Sequence, residues 1–207
     1  MASETATPVL SPTEAACVTG VPLKQVHRII DAGLLDGATS GGKRARAVRR
    51  EGLLGLKLAH ETMDMLTAIG RRRLVRYLLD HPDAKLAQAC DVSVDLRAMK
   101  GEVKKGLSAL AKARDTVMCD PAILSGVPCI KGTRIPVHDI ADMLANGDSA
   151  EAIGEAYPRL TKTQIELAAL FAKAYPRRGR PRREPFWRSR RPLKSTRTSL
   201  DDALAAL

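Results

Sequence analysis

Residues 120–174 are cut by glycine and proline into pieces too short for anything but small elements: DPAILSGVPCIKGTRIPVHDIADMLANGDSAEAIGEAYPRLTKTQIELAALFAKA. Two apolar pieces, 127–130 and 135–137, flank the turn Lys131-Gly132-Thr133-Arg134 and predict a small ribbon. Pro128 and Pro136 suit edge or first-residue strand positions, because proline has no N–H to donate to a ladder. Helical spacing follows. Residues 139–146 carry Ile140, Met143 and Leu144 on one side, with Gly147 placed to end the helix. Ser149 can cap a second helix, which Pro158 stops just after Tyr157. Thr161 can cap a third, with Ile165, Leu167, Ala168 and Phe171 on its apolar side. A ribbon followed by short helices around a tight turn predicts a winged helix-turn-helix.

The same stretch closely resembles the domain-of-unknown-function family 433. The residues that carry the likeness are Asp120-Pro121, Ile123-Leu124-Ser125-Gly126-Val127-Pro128, Ile130-Lys131-Gly132-Thr133-Arg134-Ile135, Val137, Ile140, Tyr157-Pro158 and Leu160-Thr161. Members of that family are mostly antitoxins of bacterial toxin–antitoxin pairs, and their partner is usually a ribonuclease of the PIN-like fold. The resemblance therefore implies a protein partner of that kind.

A second organised stretch lies near the start. Residues 1–10 are expected to be disordered. Ser11-Pro12-Thr13-Glu14 then sets out a helix start: serine cap, proline at the first position, glutamate at the third. Ala15, Ala16 and Val18 face inward and Gly20 ends the helix. A second helix begins at Pro22, with Leu23, Val26, Ile29 and Ile30 inward and Lys24, Gln25, His27, Arg28 and Asp31 outward. Gly33 closes it, Leu34-Leu35 returns to the core, and Ser40-Gly41-Gly42-Lys43-Arg44-Ala45-Arg46 forms a basic wing. Residues 11–58 resemble the DNA-binding domain of MerR-type regulators in this order of elements, although the aromatic residues of that family's wing are missing. The resemblance implies DNA binding through Lys24, Gln25, His27, Arg28, Lys43, Arg44 and Arg46. Helix side chains would read base edges while wing arginines hold phosphates.

Between these stretches, residues 52–82 are predicted to be helical and broken at Gly70. Arg71-Arg72-Arg73 would then stand at a helix start, where cations oppose the helix dipole. An external anion is one explanation and a solvated face is another. Residues 85–89 and 92–96 predict a strand pair, and residues 99–114 an amphipathic helix with Val103, Leu107, Leu110 and Ala111 inward. Aromatic residues make up only 3% of the chain, so its cores must be aliphatic and mainly helical.

Charge singles out the end of the chain. Of the net +11, residues 176–207 carry ten Lys/Arg against three Asp/Glu, or +7, leaving +4 for the 175 residues before them. Such a tail suits a polyanion or an acidic protein cleft. Pro176-Arg177-Arg178-Gly179-Arg180-Pro181-Arg182-Arg183 is similar to an AT-hook, which implies the narrow minor groove of A·T-rich DNA. Phe186 and Trp187 follow as aromatic anchors in a basic segment, the mark of an element that folds on binding. Tail residues Arg178, Arg180, Arg182, Arg183, Phe186, Trp187, Arg188, Arg190 and Arg191 are thus candidates for wrapping the toxin. An arginine from this tail would replace metal charge in a carboxylate-lined nuclease site.

Cys17, Cys90, Cys119 and Cys129 are widely spaced beside apolar neighbours and are expected as buried, reduced thiols. No metal or cofactor is expected, and no nucleophile–base pair or phosphate loop argues for an enzyme. The N-terminus lacks a charged, apolar leader pattern, so a cytoplasmic protein is expected. The resulting fold class is mainly α with small β elements: two winged helix-turn-helix domains (11–82 and 119–175), a helix-strand connector (83–118) and a basic extended tail (176–207). The expected function is an antitoxin that neutralises a PIN-like ribonuclease and, as a homodimer, represses its own operon. The alternative is a stand-alone MerR-like transcription regulator.

Overall fold

The computed structural model describes residues 9–41, 46–89 and 92–177, which fold into eight α-helices and small antiparallel sheets. Strand β1 (Val9–Leu10) leads into α1 (Pro12–Thr19) and α2 (Leu23–Asp31), followed by β2 (Thr39–Ser40) and β3 (Ala47–Arg49). Next come α3 (Gly52–Glu61), α4 (Ala68–Asp80), β4 (Leu86–Ala89), β5 (Val92–Asp95) and α5 (Arg97–Asp115). The last part holds β6 (Val117–Met118), β7 (Cys129–Ile130), α6 (Val137–Ala145), α7 (Ala150–Ala156) and α8 (Lys162–Ala174). No helix among the described residues is long and apolar enough to cross a membrane.

The capping chemistry set by the sequence is present. Ser11 Oγ accepts from the Glu14 amide at 3.3 Å, and Glu14 Oε2 accepts from the Ser11 amide at 2.7 Å. Thr161 and Gln164 form the same reciprocal box at the start of α8, and Ser149 caps α7. Such caps each contribute about 1 kcal/mol. Gly20 ends α1 at φ 74°, a conformation that favours glycine because it has no Cβ.

Several expectations need correction. Val9 and Leu10 are not disordered: they pair with Arg49 and Val48, making β3 the middle strand of three. Leu10 is buried and brings its own apolar contribution to the core. Leu23 begins α2 with its side chain exposed, whereas Val26 and Ile29 are the anchors that go inside. The break after α3 falls at Thr62 to Thr67, not at Gly70. Thr67 caps α4 by accepting from the Gly70 amide at 3.3 Å, so Gly70 sits in the first turn, where a glycine costs little. In α5 it is Ala113, not Ala111, that is buried along with Val103 and Leu110. Val137 is not in a strand. It opens α6, while β7 pairs with β6 as well as bridging to Pro136. Cys119 is exposed, unlike the buried Cys129 and half-buried Cys17, and Cys90 lies outside the described residues.

Three apolar clusters result. The first joins α1, α2, the β1–β3 sheet and α3 to Val103, Leu110, Ala174 and Tyr175. A second is built on Ile130, Val137, Ile140, Ile153, Leu160, Ile165 and Ala168. The third holds Leu58, Leu74 and Leu78 against Ala87, Leu96 and Met99. The first cluster crosses the whole sequence, because α5 and the end of α8 both pack on α1. The rest of the apolar side of α8, with Ile165, Ala168 and Phe171, belongs to the second cluster and packs on α6 and α7.

The α1–α5 crossing is tight. A Cβ built on Gly106 would stand 2.1 Å from the Val18 carbonyl oxygen, a backbone atom that cannot swing aside. Gly106→Ala is therefore expected to destabilise the fold by about 3 kcal/mol or more, read as a lower denaturant midpoint, with Gly101→Ala as the open-space control.

Candidate functional site

Helix α2 presents Lys24, His27 and Arg28 to solvent, with Gln25 half-buried at their side. Their spacing puts Lys24, His27 and Arg28 on one face, opposite the buried Val26 and Ile29. Neither Lys24 nor Arg28 has an ion-pair partner among the described residues. Asp31, one turn beyond Arg28, is ion-paired with Arg46, the residue just before β3 on the loop side of the β2–β3 hairpin. This pair ties the loop side of the hairpin to the end of α2. Arg49 turns away, donating to the Gly37 carbonyl at 3.2 Å. The structure thus brings Lys24, Gln25, His27, Arg28 and Arg46 together, while Lys43 and Arg44 lie outside the described residues.

Two arginines of the α4 cluster are turned to backbone carbonyls, although Arg71 Nε is buried without a hydrogen-bond partner among the described residues. Arg72 Nη2 donates to the Ala32 carbonyl at 2.7 Å and Arg71 Nη1 to the Ala59 carbonyl at 3.4 Å. Cations placed against the start of their own helix are thus turned to the negative ends of two others. Arg72 thereby also fixes the C-terminal end of α2.

At the other end of the chain, Arg177 reaches back to Asp139 at 2.5 Å and Asp142 at 3.1 Å on α6. Arg178, Arg180, Arg182, Arg183, Phe186, Trp187, Arg188, Arg190 and Arg191 lie outside the described residues. The last-helix surface of Lys162, Thr163, Gln164 and Glu166 is partly occupied. Lys162 is paired with Glu151 at 2.8 Å, and Gln164 serves the cap.

Sequence reasoning gave Glu14 only a capping role. It also binds two other elements: Arg114 Nη2 on α5 donates to Glu14 Oε1 at 2.6 Å, and the Tyr175 hydroxyl donates to the same oxygen. Arg114 Nε donates to the Tyr175 oxygen at 2.5 Å, and His138 Nε2 on α6 donates to the Tyr175 carbonyl at 2.8 Å. Burial pushes the Glu14 carboxyl up, but the hydrogen bonds from Tyr175, Ser11 and Arg114 outweigh it and hold the group below its usual 4.5. Only the glutamate three residues after a serine hinted at any of this, since the partners lie 100 and 161 residues away.

The loop before β7 holds the strongest backbone strain among the described residues. Leu124 and Ser125 have φ of 47° and 56°, followed by Gly126 at 82°. For non-glycine residues each such conformation costs roughly 1–3 kcal/mol. It is held by Asp120, whose Oδ1 and carbonyl oxygen accept from the Ala122 and Ile123 amides, each at 2.9 Å. Leu124 is 50% exposed at its tip. Beside it, Met118, Ile123 and Ile135 line an open cleft of about 460 Å³, and Arg134 and Arg159 stand in its wall.

Residues 117–172 match the family described as "Protein of unknown function (DUF433)". Over 187 residues the chain is 34% identical to the uncharacterized protein y4eO of Sinorhizobium fredii (strain NBRC 101917 / NGR234), covering 84% of this chain and 85% of the relative. The protein belongs to the family of y4eO and carries a DUF433 domain. Among solved structures, the crystal structure of Rv2018 from Mycobacterium tuberculosis aligns over 79% of this chain and 97% of that one, at 15% identity and a TM-score of 0.32. At that score the two do not define a common arrangement.

Because the Glu14 carboxyl titrates below its ordinary value when folded, its stabilisation is full above pH 4.5 and is lost as pH falls through the depressed folded value. The stability advantage of the parent over Glu14→Gln, measured by urea unfolding, is expected at neutral pH and should vanish in acid.

Proposed function

We propose that the protein is a DNA-binding antitoxin that acts as a homodimer. It binds its operator through α2 and the β2–β3 hairpin, and neutralises a PIN-like ribonuclease. The observation that carries the DNA half is the α2 face itself. Lys24, His27 and Arg28 project from a helix anchored by Val26 and Ile29, with the hairpin tied alongside through the Asp31–Arg46 pair. In this reading α1 and α2 work as a helix-turn-helix with the hairpin as its wing. Lys24, Gln25, His27 and Arg28 face the major groove, while Lys43, Arg44 and Arg46 meet phosphate. The toxin half is supported by the DUF433 domain, whose family resemblance implies such a partner, and by the +7 charge of residues 176–207. Arg178, Arg180, Arg182, Arg183, Arg188, Arg190 and Arg191, with Phe186 and Trp187, form the wrapping element.

A stand-alone regulator is the second reading, and one feature favours it. A cleft of about 400 Å³ lies between β1 and α5, lined by Val9, Leu10, Leu107 and Leu110 together with Arg50, Lys104 and Arg114. Such a site would accept a small amphipathic acid as effector.

Fluorescence anisotropy on a duplex from upstream of the protein's own gene tests the first reading. Lys24→Ala/Arg28→Ala is expected to weaken binding by at least about 10-fold and to lower the salt slope by about 2. Unchanged affinity and slope would remove α2 as the reading helix. If the product of the adjacent reading frame leaves DNA affinity unaltered while small acids change it, the stand-alone regulator is the better account.

A further inference from the structure

The two arginines of the Met118–Ile123–Ile135 cleft are exposed, and among the described residues neither makes an ion pair or a side-chain hydrogen bond. No acidic residue lines the cleft among the described residues. The cleft is therefore apolar at its floor and cationic at its wall. At its edge, the turn that starts at Ile123 holds Leu124 out into solvent, with Val127 exposed two residues after Ser125. An aliphatic residue in a left-handed conformation is an unusual choice, since asparagine, aspartate or glycine fits that backbone better. Folding alone does not explain a leucine that is both strained and half exposed. A leucine that inserts into a partner does.

We propose that the Leu124 turn and the Arg134–Arg159 cleft form a protein-docking surface, separate from the basic tail. Its occupant is an acidic segment that carries an aliphatic side chain next to a carboxylate. The aliphatic group enters the floor made by Met118, Ile123 and Ile135 while the carboxylate lies between the two guanidinium groups. Charge decides the class of occupant. The chain itself is +11, so a second copy would bring like charge to an already cationic wall, whereas an acidic partner is drawn to it. For the partner's identity this inference rests on the antitoxin reading. Residues 117–172 would then hold the toxin directly, and the tail would add a second grip.

Isothermal titration calorimetry of the full chain with the purified product of the adjacent reading frame tests this. Two variants avoid the ambiguity of misfolding. Arg134→Glu/Arg159→Glu alters only exposed, unpaired side chains. Leu124→Asn puts a residue that tolerates positive φ where leucine is strained, so its melting temperature should hold or rise. Both are expected to weaken binding by at least about 10-fold while melting at or above the parent temperature. Parent-like binding by both variants overturns the docking surface and leaves the antitoxin reading standing. Absence of binding by the parent chain overturns the toxin partner and this proposal with it.

Discussion

The Glu14 carboxylate is the interaction on which the rest of the structure depends. One side chain completes the cap of α1, receives Arg114 from α5 and receives the Tyr175 hydroxyl from the end of α8. A buried carboxylate with fewer donors would be a liability, because removing one partner leaves a charge out of water. Here every element that crosses the α1–α5–α8 junction contributes a donor. The cost of burial is thus converted into a fixed point between α2, which carries the candidate DNA face, and the DUF433 domain. Lys57 plays the same role on the far side of α1. Its buried ammonium group donates to the Thr19 carbonyl at 3.3 Å and pairs with Glu61 at 3.0 Å and Glu102 at 2.6 Å.

Placement of charge follows from this core. Several arginines are assigned to backbone carbonyls, as Arg71 and Arg72 are, or to carboxylates, as Arg114 and Arg177 are. Those left without an internal partner among the described residues include Arg28 on α2 and Arg134 and Arg159 around the cleft. A cation whose hydrogen-bonding capacity is unused by its own fold is available to a ligand. This distinction separates the candidate surfaces from a general positive charge more sharply than net charge does.

Local chemistry was legible in the sequence where one segment settles its own structure. The Ser11–Glu14 and Thr161–Gln164 boxes, the Ser149 cap and the strand pair around residues 86–95 follow from short-range patterns. Matters settled by distant partners were not legible. Val9 and Leu10 become a strand only because β3 offers a free edge 38 residues later, at Val48 and Arg49. The apolar side of α8 could be read from its spacing, but not its partners: Ile165 and Ala168 pack on Ile140 and Ile153 of α6 and α7, and only Ala174 and Tyr175 reach the cluster of α1 and α5. At the candidate site, the outward residues of α2 could be read from helical spacing. The cleft could not, since Arg159 joins Arg134 only through the packing of the α7–α8 turn near the Lys131–Arg134 turn.

The claim at the centre of this account is that the Glu14–Arg114–Tyr175 junction makes α2 and the DUF433 domain parts of one cooperative body. Native-state hydrogen exchange on the full chain and on Glu14→Gln/Tyr175→Phe tests it most directly. The account predicts that the core amides of Val26 and Ile29 and those of Ile140 and Ile165 open together in the parent, and that the double variant lets the two groups open at separate free energies. Separate opening already in the parent, or no change on breaking the junction, would contradict it.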